Sequence, residues 1–128
     1  MKCYIYEIGY LRGRLLENEG KLENALKMYI ESLSYDPEHY ELRKAIGRTQ
    51  RLLGNHSQSI QTFIDLQKSF PISADRNFEL AKSYYAHGNS KKALEHLEIV
   101  LNVWKNADVG FKPAIEAREK WTQWNQVN

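Results

Sequence analysis

The fold is decided by residues 13–37, which read GRLLENEGKLENALKMYIESLSYDP. Residues 47–71 follow the same plan as GRTQRLLGNHSQSIQTFIDLQKSFP, and a third copy begins at Ala81. Equivalent positions recur at a step of 34 residues, as shown by Gly20, Gly54 and Gly88 and by Pro37 and Pro71. A period of this size is typical of an array of stacked helical hairpins.

Each repeat is predicted to form two helices separated by a glycine turn. Glycine tolerates a positive φ just past a helix end, and proline disfavours helical geometry in the residue before it. Apolar residues at helical spacing support the second helix of each pair. We expect paired helices over residues 4–18 with 21–34, 40–53 with 57–69, and 74–86 with 90–104. Ser57 and Ser90 are expected to be N-caps.

Small residues recur on both helices of each pair, where a bulky side chain would hold the two backbones apart. They are Gly13, Gly47 and Ala81 on the first helices and Ala25, Ser59 and Ala93 on the second helices. We therefore expect the paired helices to approach each other closely.

A last helix is predicted to cap the third hairpin. Pro113 is well suited to its first turn, and Ala114, Ala117, Trp121 and Trp124 form an apolar stripe along it. We expect Trp121 to be buried. Trp124 allows two interpretations, burial, or partial exposure for self-association or for contact with a neighbouring domain. The polar side is expected to face water and consists of Glu116, Arg118, Glu119 and Lys120.

This pattern resembles the tetratricopeptide repeat family, which has repeats of this length. The family favours a small residue at Gly13, Gly47 and Ala81, glycine at the turn, and alanine at Ala25 and Ala93. It also places an aromatic residue at Tyr29 and Phe63 and proline after the second helix, whereas Gly9, Arg43 and Asn77 replace an aromatic residue expected early in the first helix.

The resemblance implies an all-α fold, a right-handed α–α superhelix of three tetratricopeptide-like hairpins plus a C-terminal capping helix. The expected organisation is a single domain over residues 1–128. Its repeats are expected at about 6–39, 40–73 and 74–107, and the capping helix at about 112–125.

The resemblance further implies a concave groove that is lined by the first helices and holds a peptide or another protein. Side chains expected to point into this groove are Tyr10, Arg14, Glu17, Lys44, Arg48, Arg51, Phe78, Lys82 and Tyr85. Arg14, Arg48 and Lys82 occupy equivalent positions of the three repeats, and all three are basic. Because arginine binds carboxylates in a bidentate manner and aromatic rings add apolar contact area, we expect an acidic or carboxylate-bearing partner.

Three alternatives stay open at this point. The basic side chains could be ordinary solvated charges. The chain could be an accessory or self-associating domain of a larger protein, forming a homodimer through its terminal helices. Nucleic-acid binding is disfavoured because the net charge is only +2, whereas a strongly basic domain is expected for that function.

Catalysis, cofactors and metals are not expected. The four histidines, His39, His56, His87 and His96, show no metal-ligand spacing, and no nucleophile with a partnering base is evident. The single cysteine, Cys3, cannot form an internal disulfide and is not expected to be a nucleophile. No secretory signal or membrane-spanning run is evident, so a cytoplasmic location is expected.

Overall fold

The computed structural model describes residues 2–126, with side chains described from residue 7 onward. The expectation for the Cys3 thiol therefore lies outside the described side chains. The described part contains seven α-helices and no strand. These helices are α1 (Lys2–Asn18), α2 (Leu22–Leu33), α3 (Tyr40–Leu52), α4 (His56–Ser69), α5 (Ala74–Ala86), α6 (Ser90–Val103) and α7 (Lys112–Asn125). All seven helices were predicted from the sequence.

The first two helices approach closely because Gly13 has no side chain between them. A Cβ atom at Gly13 would lie 2.2 Å from Cε1 of Tyr29. The same contact recurs in the next hairpin, where a Cβ atom at Gly47 would lie 2.6 Å from Cζ of Phe63. The equivalent residue of α5, Ala81, is fully buried. These contacts confirm that small residues allow the paired helices to pack together.

The glycine turns are also confirmed. Gly20, Gly54 and Gly88 have φ angles of 79°, 87° and 89°, in the left-handed region that favours glycine. The predicted N-caps are wrong: α4 begins at His56, so Ser57 lies inside it, and Ser90 is the first residue of α6 itself. Asn89 caps α6 instead, because its side-chain oxygen accepts a hydrogen bond from the Lys92 N–H at 3.2 Å.

The chain divides into two compact units, residues 1–71 and residues 72–128, and the expected single domain stays a prediction. The first unit contains α1 to α4, with α2 packed against α3. Its two hairpins thus share a core, which consists of Ala25, Tyr29, Leu42, Ala45 and Ile46.

The second unit contains α5, α6 and α7, and α7 packs against α6. Pro113 lies in the first turn of α7, as predicted. Trp124 is only 4% exposed and its ring stacks on Tyr85 with 4.5 Å between centroids. Trp121, which was expected to be buried, is partly exposed. Both residues lie on the same face of α7, and it is the Trp124 ring that takes the place against Tyr85 of α5.

Candidate functional site

Glu17 of α1 and Arg48 of α3 form an ion pair on the predicted groove face of the first unit. The Arg48 Nη2 and Nε atoms lie 2.6 and 3.2 Å from the two Glu17 carboxylate oxygens. The Tyr29 hydroxyl donates a hydrogen bond of 2.5 Å to Glu17 Oε1. The side chains of Arg48 and Glu17 are only 17% and 11% exposed. The charge of Arg48 is therefore balanced within its own unit.

This contact changes the acidity of two groups. Burial acts to raise the pKa of Glu17, but the hydrogen bonds from Arg48 and Tyr29, together with nearby positive charge, lower it overall from its ordinary value of 4.5. Burial, followed by the hydrogen bond to Glu17, raises the pKa of Tyr29. At neutral pH the Glu17 carboxylate is consequently charged and the Tyr29 phenol is protonated.

Arg14 and Tyr10 lie on the same helix as Glu17 but in different environments. Arg14 is exposed, while Tyr10 is partly buried against the core, with its ring centroid 6.2 Å from that of Tyr29. Tyr10 also lines a largely apolar cleft of about 280 Å³ between α1 and the start of α3. The other residues of this cleft are Glu7, Leu11, His39 and Glu41.

The remaining predicted residues of the first unit lie on α3. The Lys44 Nζ atom is 3.3 Å from Glu41 Oε2 and 5.5 Å from the centroid of the Tyr40 ring. Arg51 lies in the last turn of α3 and is partly exposed. Lys44 therefore has an acidic neighbour of its own, as Arg48 has.

Lys82 is the basic residue that the sequence places in the second unit. Its Nζ atom lies 2.9 Å from Glu79 Oε1 and 3.6 Å from Glu116 Oε1, and 4.4 Å from the centroid of the Phe78 ring. Glu116 was expected to face only water, but it reaches from α7 toward α5. Lys82 is therefore also balanced within its own unit.

The aromatic residues predicted for α5 are covered by other rings. Phe78 is 3% exposed and meets Trp104 edge-on, with 6.0 Å between centroids. Tyr85 is partly buried beneath Trp124. Phe78 is therefore a core residue, which corrects the expectation that its ring is available to a partner. Tyr85 can offer only the part of its ring that Trp124 leaves uncovered.

The predicted basic row is distributed over both units, since Arg14 and Arg48 belong to the first and Lys82 to the second. A continuous row along the chain stays a prediction. Sequence reasoning missed the acidic partners of Lys82, although Glu79 stands three residues before it, a spacing at which helical side chains meet. No comparable signal indicated Tyr29, which reaches Glu17 from another helix.

The described residues contain no cluster of three or more histidine, cysteine, aspartate or glutamate side chains arranged to hold a metal ion. Within that same part of the chain, no helix combines the length and apolar character needed to cross a membrane.

The helices and their 34-residue step define a protein built from helical-hairpin repeats. Two sequence profiles described as tetratricopeptide repeat match residues 6–39 and 77–107, together just over half of the chain. The chain belongs to the tetratricopeptide repeat family.

Solved structures show the same fold. The translocator chaperone SycD of Yersinia enterocolitica aligns with a TM-score of 0.84 and 14% identity, covering 94% of this chain and 92% of that one. The first tetratricopeptide domain of Spaghetti (RPAP3) aligns with a TM-score of 0.80 and 15% identity, covering 96% and 92%. PcrH of Pseudomonas aeruginosa aligns with a TM-score of 0.81 and 16% identity, covering 94% of this chain and 91% of that one. The expected all-α tetratricopeptide fold is thus confirmed. A comparison with curated proteins finds no match.

Proposed function

We propose that this chain is a protein-interaction scaffold or adaptor that binds a peptide or a protein segment on the face formed by α1 and α3. We further propose that its partner is acidic or carries a free carboxylate. The residues assigned to this binding face are Tyr10, Arg14, Glu17, Lys44, Arg48 and Arg51.

The observation that carries the proposal is the difference between Arg14 and Arg48. The Glu17 carboxylate accepts two hydrogen bonds from the Arg48 guanidinium. Arg14, by contrast, is exposed on the same side of α1. Arg14 also helps to lower the pKa of Glu17, which indicates that it lies within electrostatic range of the pair. Since Arg48 and Glu17 balance each other, Arg14 adds a net positive charge where a carboxylate could approach.

Charge alone supplies little affinity. An exposed ion pair contributes only about 0.2–1 kcal/mol, whereas micromolar binding requires about −8 kcal/mol. The cleft beside Tyr10 and Leu11 can provide the missing apolar contacts, because Leu11 is largely exposed and the cleft wall is mainly apolar. A partner with an apolar side chain close to its acidic group fits this arrangement.

Structures with the same fold support a peptide-binding role. The Spaghetti domain is described as bound to the HSP90 peptide SRMEEVD, which contains three acidic residues. SycD is described in complex with a peptide of the translocator YopD, and PcrH with the chaperone-binding region of PopD. These partners belong to those proteins, and the shared fold makes peptide binding the function we favour here.

A peptide-library selection tests the proposal. We expect the wild-type chain to enrich acidic peptides, and Arg14→Glu to abolish that preference by reversing the exposed charge. Lys27→Glu is the matched control, because Lys27 is an exposed residue of α2 in the same unit and undergoes the same charge change. Enrichment that is independent of peptide charge, or that Lys27→Glu reduces equally, would contradict the proposal.

The proposal assigns no catalytic step and no cofactor to the chain. It includes a cytoplasmic location, and the single cysteine is compatible with a reducing compartment.

A further inference from the structure

The first unit has an apolar edge that is distinct from the face of Arg14. Ile8 and Leu15 stand two helical turns apart on α1 and are 48% and 58% exposed. Tyr35, just beyond the end of α2, is 47% exposed. Large apolar side chains grouped in this way mark a contact surface more often than scattered ones do.

A cleft of about 310 Å³ lies beside these residues, between α1 and α2. Gly9 borders it, and the two helices are so close there that a Cβ atom at Gly9 would lie 1.6 Å from Oγ of Ser32. Ile8, Met28 and Tyr35 also line the cleft. The edge thus presents both a recess and projecting apolar side chains that could enter such a recess.

Opposite charges stand on the two sides of this cleft. Arg12 lines it from α1 and Glu31 lines it from α2, and both residues are exposed. A surface with charges of one sign would repel a copy of itself. A surface with a cation on one helix and an anion on the other can pair with itself across a twofold axis, because each residue then meets the opposite charge of the partner.

We propose that this α1–α2 edge, formed by Ile8, Arg12, Leu15, Met28, Glu31 and Tyr35, binds a second copy of the chain. Arg12 of each copy faces Glu31 of the other, and Ile8 and Leu15 pack over the paired clefts. The peptide face with Arg14 lies on another side of α1, so the dimer and the proposed peptide binding are separate properties.

Sedimentation velocity over about 1 µM to 1 mM tests the proposal. We expect a reversible monomer–dimer equilibrium in the wild-type chain and a monomer throughout for Leu15→Glu. Leu52→Glu is the matched control, since Leu52 is a leucine of α3 with a similar exposed fraction, 53%, outside the edge. Circular dichroism verifies that each variant keeps its helices. A wild-type chain that is monomeric throughout, or a dimer that survives Leu15→Glu, would overturn the proposal.

A charge exchange tests the specific pairing. Arg12→Glu and Glu31→Arg should each raise the dimer dissociation constant about tenfold, because each change occurs twice in a symmetric dimer. The double variant should return it to within about threefold of the wild-type value, because the charges are again opposite. A double variant that dimerises more weakly than either single variant would overturn the twofold pairing. The library selection with Arg14→Glu tests the peptide face independently of these results.

Discussion

The two units balance their central basic residues in different ways. In the first, Arg48 meets Glu17 from a neighbouring helix, and Tyr29 holds that carboxylate from a third helix. In the second, Lys82 meets Glu79 of its own helix and the half-exposed Glu116. The first ion pair therefore joins neighbouring helices, whereas the contact of Lys82 with Glu79 stays within one helix and only the half-exposed Glu116 comes from another.

The aromatic residues of the two units also differ in how far other rings cover them. Tyr10 of the first unit borders an open cleft, whereas Phe78 and Tyr85 of the second are covered by Trp104 and Trp124. Trp104, just after α6, and Trp124 of the capping helix thus reduce the surface that α5 can offer. The first unit keeps Arg14 and the cleft beside Tyr10 accessible, which makes it the better candidate for partner binding.

Removal of the Trp124 side chain should have the largest effect on stability. Trp124→Ala should lower the free energy of unfolding of the second unit by about 3 kcal/mol, because a buried aromatic side chain and its stacking on Tyr85 are lost. Hydrogen exchange should show faster exchange in α5 to α7 and little change in α1 to α4. Trp121→Ala should cost less than about 1 kcal/mol, since Trp121 is partly exposed. Equal effects of the two substitutions would contradict this role of Trp124.

Removal of each basic residue in turn should show that the two ion pairs contribute differently to the free energy of unfolding. Arg48→Ala should lower the free energy of unfolding by about 2 kcal/mol, because Glu17 is left largely buried without its cation. Lys82→Ala should cost less, about 1 kcal/mol, because Lys82 makes one contact with Glu79 of its own helix, and its second partner, the half-exposed Glu116, can turn toward water. Urea denaturation measures both. A cost for Lys82→Ala as large as that for Arg48→Ala would mean that the two pairs are equivalent.

A smaller effect should distinguish equivalent contacts in the second and third hairpins. Thr62 donates a hydrogen bond of 2.7 Å to Gln50. At the equivalent positions 34 residues later, the His96 ring stacks on Tyr84 with 5.4 Å between centroids. Neither Thr62 nor Gln50 titrates in the neutral range, whereas His96 does.

Burial, followed by the positive charge of Arg76 and Lys92, lowers the pKa of His96 from its ordinary value of 6.5, although Glu95 opposes this shift. The unfolded chain therefore binds a proton at a higher pH than the folded chain does. Stability should consequently fall as the pH drops below about 6.5. Urea denaturation at about pH 7.5 and pH 5.5 measures the loss. His96→Phe should keep the ring contact and show a weaker pH dependence, and an unchanged dependence would exclude His96 as its origin.

The sequence predicts the helices better than it predicts the contacts between them. Repeated glycines, apolar spacing and prolines act locally, so the seven helices and the turns at Gly20, Gly54 and Gly88 were predictable. The N-caps were wrong because the choice between Asn89 and Ser90 depends on a shift of one residue. The contact of Tyr29 with Glu17 joins residues 12 apart on two helices, and helical spacing alone does not indicate it.

The same limit applies to the predicted groove residues. Spacing placed Arg14, Arg48 and Lys82 at equivalent positions of the three repeats. It could not show that Glu17 and Glu116 approach two of them, because those carboxylates arrive from other helices. The burial of Phe78 likewise depends on the ring of Trp104.

The most direct test of the proposed binding face is a nuclear magnetic resonance titration of the labelled chain with an acidic peptide taken from the library selection. We predict that the largest amide shifts fall on α1 and α3, centred on Tyr10, Arg14 and Lys44, and that they vanish in Arg14→Glu. Shifts concentrated on α2, α4 or α6 would contradict the account.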